Sequence, residues 1–148
     1  MLKAVYNRWN SSLAAVSEIQ GLSWSISLEP LPPAIYARSP DSNALGLSDT
    51  TGALVITLLA ATWANEADDA FMEKTARDLF DGIEEDARRL GAYHPYKYMN
   101  YAAEWQDPIA SYGEGSVEML SRVSKHVDPK GVFREDVPGF KIPRSIRH

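Results

Sequence analysis

Nine residues hold most of the chemistry in this chain: Tyr93-His94-Pro95-Tyr96-Lys97-Tyr98-Met99-Asn100-Tyr101. Four of the seven tyrosines lie here, and Tyr112 follows shortly after. A phenol carries an apolar ring with a hydroxyl that donates and accepts; an asparagine amide adds two donors and an acceptor. Gathered on one surface, such groups suit a flat ring with polar edges, a flavin for example. They also suit a tyrosine-rich core edge whose hydroxyls bond to water, and composition alone favours that reading. Extended backbone is expected after the Pro95 turn, with alternation placing Tyr98 and Asn100 on one side of a strand and Met99 and Tyr101 on the other. A twist or bulge at the strand end would bring Tyr98 and Tyr101 to one cleft.

Other chemistries find little support. The chain has no cysteine, hence no disulfide framework, thiolate nucleophile or zinc–thiolate site. His94, His126 and His148 are far apart in sequence, so no metal site is expected. The acidic run Glu84-Glu85-Asp86 reads as a solvated helix face, because no apolar pocket residues flank it to raise a pKa. Glu29, at a strand end, either faces a ligand or is a solvated carboxylate. The net charge of -5, with basic excess only in the short stretch Lys141 to Arg147, argues against a nucleic-acid partner. No apolar run reaches membrane-spanning length, and the charged opening residues do not form a secretory signal. Asn10-Ser11-Ser12 is a glycosylation sequon that matters only in an exported chain.

The elements that must position the tyrosines follow from hydrophobic patterning over 148 residues, enough for one domain with a real core. Hydrophobic residues at 45% and charged residues at 24% give an ordinary globular balance. Leu2, Val5, Tyr6, Trp9, Leu13 and Val16 mark one helix face over residues 2–19, which opens almost inside the helix as though a larger structure precedes it. Leu22 to Leu28 alternates as a half-buried strand that Glu29-Pro30-Leu31-Pro32-Pro33 should end. A long polar loop from Arg38 to Gly52 follows. Leu54 to Trp63 is nearly all apolar and predicts a strand covered on both faces. The clearest helix starts at Asn65, carries Phe71, Met72, Ala76, Leu79, Phe80, Ile83, Ala87 and Leu90 on its apolar face, and closes at Gly91. Another is expected from about Gly115 to Val127, with Val117, Leu120, Val123 and Val127 inward. Asp128-Pro129-Lys130-Gly131 predicts a type I turn, after which Val132-Phe133 should reinsert as an anchor. Phe140 should pin an extended tail.

Several of these segments, taken in order, resemble a known family. They are Tyr98-Met99-Asn100-Tyr101-Ala102, Gln106-Asp107-Pro108-Ile109, Tyr112-Gly113, Asp128-Pro129, Gly131-Val132-Phe133 and Pro138-Gly139-Phe140-Lys141. The set resembles the C-terminal end of fungal FAD-linked oxidoreductases of the berberine-bridge-enzyme-like group, in the vanillyl-alcohol-oxidase superfamily. Trp24 to Pro32 is similar to that family's strand ending in Gln-Pro-Leu-Pro, with Glu29 in place of the usual Gln. The resemblance implies an α+β fold: an antiparallel sheet with helices packed on one face, the partial substrate domain of a two-domain flavoenzyme. It implies FAD as cofactor and a hydroxyl- or amine-bearing small molecule as substrate, with hydride passing to the flavin while a base takes the proton. Carried over, Asn100 and Tyr98 would contact the flavin, and Tyr101 and Tyr98 would be catalytic, with Tyr101 the better candidate base. A phenol near its reference pKa of about 10 needs help to act so at neutral pH; Tyr98 or Lys97 would give it.

Residues 1–148 are thus expected to be one partial substrate-binding domain without the N-terminal FAD-binding domain. No full Gly-x-Gly-x-x-Gly fingerprint opens a helix to cradle a pyrophosphate. A separate FAD-binding domain or subunit is the implied partner, and the isolated chain should hold FAD weakly. The competing reading is a non-catalytic α+β ligand-binding or dimerisation module that uses the tyrosine patch as its pocket or subunit face.

Overall fold

The computed structural model describes residues 1–38, 43–47, 50 and 52–143. Parts of the expected loop over 38–52, the end of the basic tail and His148 lie outside the described residues. The chain forms an α+β structure organised as two compact units, one of residues 1–29 and 55–94, the other of residues 30–54 and 95–148.

The first unit is built on two helices and most of a two-stranded sheet. Helix α1 (Leu2–Val16) packs along α3 (Asp69–Arg89), and strands β1 (Ser23–Leu31) and β2 (Leu54–Thr62) pair. The strands run antiparallel: Ser25 Oγ donates to the Ala60 carbonyl, and just beyond the strand ends Ala64 N–H donates to the Gln20 carbonyl at 3.0 Å. As the alternation requires, Trp24 is buried while Ser23, Ser25 and Ser27 are exposed. Trp24 also locks β1 under α1, its Nε1 donating to Ser12 Oγ at 3.0 Å while Trp9 Nε1 donates to the Trp24 carbonyl at 3.3 Å. The strand runs through Pro30 and ends at Leu31, within the proline-rich stretch expected to stop it. In a two-stranded sheet each strand is an edge, and a proline is tolerated where its N–H would point outward.

Three expectations are corrected here. No residue of β2 is fully buried and Val55 is exposed, because a two-stranded sheet cannot be covered on both faces by so few elements. On α3, Phe71 and Leu90 are exposed, while Met72 at 1% exposure, Ala76, Leu79, Ile83 and Ala87 form the buried stripe. The third concerns Asp86, which is only 8% exposed rather than solvated. Arg8 of α1 reaches it with Nε at 2.8 Å and Nη2 at 3.2 Å, and Arg89 adds a bond at 2.9 Å. Gly82, one turn earlier, leaves room for the Arg8 guanidinium: a Cβ there would lie 2.8 Å from Arg8 Nη1. The hydrogen bonds from Arg8 and then Arg89 hold the Asp86 carboxyl well below the usual carboxylate range. The exposed face of α3 carries spaced ion pairs, Glu73–Arg77, Lys74–Asp78 and Glu84–Arg88, each of which adds a few tenths of a kcal/mol to a helix. At its end Gly91 takes a positive φ of 64°, the left-handed conformation that stops a helix.

In the second unit a short helix α2 (Pro33–Tyr36) starts on Pro33, since proline suits the first helical position. Its Tyr36 is buried and its hydroxyl donates to the Gly52 carbonyl; Leu47 is buried too. Helix α4 (Glu114–Val127) buries Val117 and Ser121, with Leu120 partly buried. Val123 and Val127 are exposed, so its inward stripe runs through Ser121 instead. The turn at Asp128 forms, with Gly131 N–H donating to the Asp128 carbonyl at 3.0 Å. The Asp128 carboxylate then accepts from Val132 and Phe133 N–H at 2.9 and 3.1 Å, capping α5 (Val132–Asp136). Phe133, expected as an anchor, is 71% exposed: the cap orients its backbone, and its side chain falls outside the core. Phe140 does pack into the core. Among the described residues no helix is long and apolar enough to cross a membrane.

Candidate functional site

The core of the second unit is the platform for the tyrosines. Ile109, Tyr112 and Val117 are its buried centre, with Tyr96, Met99, Leu120 and Phe140 packed around them. Two tight 3₁₀ turns stand on it, Met99–Tyr101 and Ala110–Tyr112. Asp107 stabilises the second by accepting the Ala110 N–H at 2.8 Å, and Gln106 Oε1 accepts the Ala103 N–H at 2.9 Å.

The turn at Met99–Tyr101 replaces the expected strand. Tyr101 N–H donates to the Tyr98 carbonyl at 3.0 Å and Ala102 N–H to that of Met99 at 3.2 Å. With three residues per turn, positions i and i+3 eclipse. Tyr98 and Tyr101 therefore meet, ring centroids 4.8 Å apart and edge to face at 84°. They come together as the flavin reading requires, but through a helical turn and not a bulge. Asn100 Nδ2 donates to the Tyr98 hydroxyl at 3.0 Å, tying amide and phenol into one group. Met99, which alternation placed beside Tyr101, instead turns into the core. Asn100 is exposed, Tyr101 is 38% exposed and Tyr98 is half-buried.

Behind this group lies a second aromatic layer. Tyr96 stacks on Tyr112 with centroids 5.9 Å apart and planes 23° apart. Burial, followed by repulsion from ionised Tyr112 and Tyr98, pushes the Tyr96 phenol above its ordinary value. Burial and then Tyr98 do the same to Tyr112. Both phenols are neutral at physiological pH and serve as backing rather than as bases. Tyr93 has a different role in the first unit, its ring lying 4.1 Å from the Arg88 guanidinium. There, burial also lowers the His94 pKa. Glu29 is half-buried within β1. Among the described residues no group of histidine and carboxylate side chains is placed to hold a metal ion.

Sequence reasoning missed Ser111. Its Oγ accepts the Lys97 N–H at 3.0 Å and donates to the Pro108 carbonyl at 2.6 Å. Serine two or three residues after an Asp-Pro pair is a turn signal, yet nothing in the sequence says which distant amide it will reach.

Comparison with known proteins bears on what such a surface is for. The chain is 42% identical over 116 residues to the FAD-dependent monooxygenase FUP4 of Fusarium proliferatum, covering 77% of this chain and 22% of that one. It is 43% identical over 97 residues to the FAD-dependent monooxygenase tpcD of Cochliobolus heterostrophus, covering 66% and 19%. The chain is similar to fungal FAD-dependent monooxygenases. A further relative, named oligopeptidase PhomG' in Diaporthe leptostromiformis, is 46% identical over 146 residues, which are 97% of this chain and 12% of that protein. The chain spans 12–32% of the length of such relatives. No family model matches the chain, and no solved structure does.

The residues present fit part of an FAD. A flavin ring edge offers both acceptors and donors, and the Tyr98 bond uses one of the two N–H donors of Asn100. The exposed ring of Tyr101 adds an aromatic edge. The pyrophosphate is fitted less well: Gly113-Glu114-Gly115 opens α4, but Glu118 stands where the dinucleotide fingerprint has its third glycine, and Glu114 puts negative charge in the first turn, where an anion would have to sit.

Proposed function

We propose that this chain is the C-terminal, substrate- and flavin-contacting part of an FAD-dependent oxidoreductase of the berberine-bridge-enzyme-like group. Its substrate is a small molecule bearing a hydroxyl or amine. The observation that carries this reading is the Tyr98–Asn100–Tyr101 turn, two phenols and an amide joined on a solvent-facing surface. The FAD-dependent monooxygenase relatives support it. The segment shared with the relative named oligopeptidase is 12% of that protein, against 19–25% for these monooxygenases.

Bound flavin would supply a two-electron acceptor for substrate hydride. Asn100 orients the ring edge through its amide. Tyr101, as its phenolate, takes the substrate proton at its oxygen and becomes the neutral phenol, and Tyr98, held by Asn100, packs edge to face against its ring. Met99, beneath the turn, excludes water from its core side. A separate FAD-binding domain or subunit holds the rest of the cofactor.

The test starts with FAD added to the purified chain, where weak, non-stoichiometric binding is expected; tight one-to-one binding would contradict the assignment of the cradle to another domain. The chain is then combined with a flavin-binding domain from one of the relatives. Losing a positioned proton acceptor costs roughly 10²–10⁴-fold in rate, so Tyr101→Phe should lower turnover on that scale and Trp105→Phe little. Equal effects would remove Tyr101 from the catalytic role.

A further inference from the structure

A ring-contacting turn is useful only when held in one place, and on the functional reading above we propose that Ser111 is the positioning residue that sets the Tyr98–Asn100–Tyr101 turn. A hydroxyl has one proton and two lone pairs. Ser111 commits its proton to the carbonyl of Pro108, a residue among the most deeply buried in the chain, at 2.6 Å. That fixes the direction of the lone pairs, one of which accepts the Lys97 N–H at 3.0 Å. Lys97 immediately precedes Tyr98, whose carbonyl opens the turn by accepting the Tyr101 N–H. Beside this bridge, Tyr96 stacks on Tyr112. Two consecutive residues before the turn are therefore clamped to two consecutive residues of the Ala110–Tyr112 turn, ring on ring and amide on hydroxyl. A stacked ring pair tolerates sliding, whereas a hydrogen bond is directional. The serine is thus the contact that fixes where the turn begins. Ser111 need not touch substrate or flavin; it acts through the Lys97 peptide.

The test uses the full chain with its tyrosine ring resonances assigned by NMR, and lumiflavin as the probe. In the free wild-type chain the edge-to-face pair gives Tyr98 and Tyr101 mutual ring-current shifts, and added lumiflavin moves both rings together. Ser111→Ala should collapse the mutual shifts and weaken lumiflavin binding about fivefold, the worth of one typical hydrogen bond. Ser111→Thr, which keeps the hydroxyl, should restore both. Mutual shifts that survive Ser111→Ala would overturn the positioning role, as would their loss in Ser111→Thr. If lumiflavin leaves the wild-type tyrosines unmoved while Ser111→Ala still collapses the pair and Ser111→Thr restores it, the bridge stands and the flavin assignment falls.

Discussion

Replacing Gly46 by alanine tests how the aromatic platform is held. Gly46 has φ +68°, and a Cβ there would sit 2.0 Å from the Tyr112 carbonyl oxygen and 2.7 Å from its carbon. A close carbon–oxygen contact needs about 3.3 Å, and both partners are backbone, so no flexible side-chain end can swing away. The left-handed conformation costs an L-residue about 1–2 kcal/mol, and the forced separation adds about 1–3 kcal/mol as overpacking does. The expected loss is about 2–5 kcal/mol, or roughly 4–20 °C in melting temperature for a chain of this size. Because Tyr112 carries the stack with Tyr96, the near-UV circular dichroism of the tyrosines should weaken as well. Gly115→Ala is the control: it lies in α4 with nothing within 4 Å, and alanine there should stabilise by up to about 1 kcal/mol. Urea unfolding and near-UV spectra measure both. Gly46→Ala within about 0.5 kcal/mol of the parent, the range of an ordinary surface change, with unchanged spectra would refute the close approach.

Two pH predictions follow from the shifted groups. Asp86 is held below its unfolded value of about 3.9, so its contribution is present above that pH and is lost as pH falls through it toward the lower folded value. Asp86→Asn should be less stable at neutral pH, with the gap closing in acid, and its acid unfolding should take up about one proton fewer; parallel acid curves would rule this out. Tyr96 and Tyr112 are raised by burial, so above the unfolded value of about 10 the unfolded chain binds fewer protons and stability falls as pH rises. Phenolate absorbance should show two late-titrating tyrosines that ionise with unfolding, one fewer in Tyr96→Phe. Seven phenols titrating together in an intact fold would refute it.

Elements with a strong period were legible. The stripe through Met72, Ala76, Leu79 and Ile83 and the alternation around Trp24 both state their burial in the spacing. The ends of those stripes were not, because Phe71, Leu90, Val123 and Val127 match the period where no neighbour comes to cover them. Asp86 sits on the buried stripe three residues after Ile83, but its partner Arg8 is 78 residues away, a pairing that local pattern does not encode. At the site, the expected strand is a 3₁₀ turn. Tyr-x-Asn-Tyr has strand propensity, yet Met99 finds the core by turning inward, and that packing wins over the weak local preference. The meeting of Tyr98 and Tyr101 was foreseen, and its route was not. Ser111 and Gly46 were invisible because each matters through a backbone group that arrives from elsewhere in the chain.

Pro30 gives the small sheet a polarity. Among the described residues β1 and β2 form a two-stranded sheet, so each has an outer rim to which another strand can add. Toward the end of β1 the imide nitrogen has no hydrogen to offer a newcomer. Any strand that extends this ribbon meets a gap there, so growth is favoured along β2 or along the Ser23 end of β1.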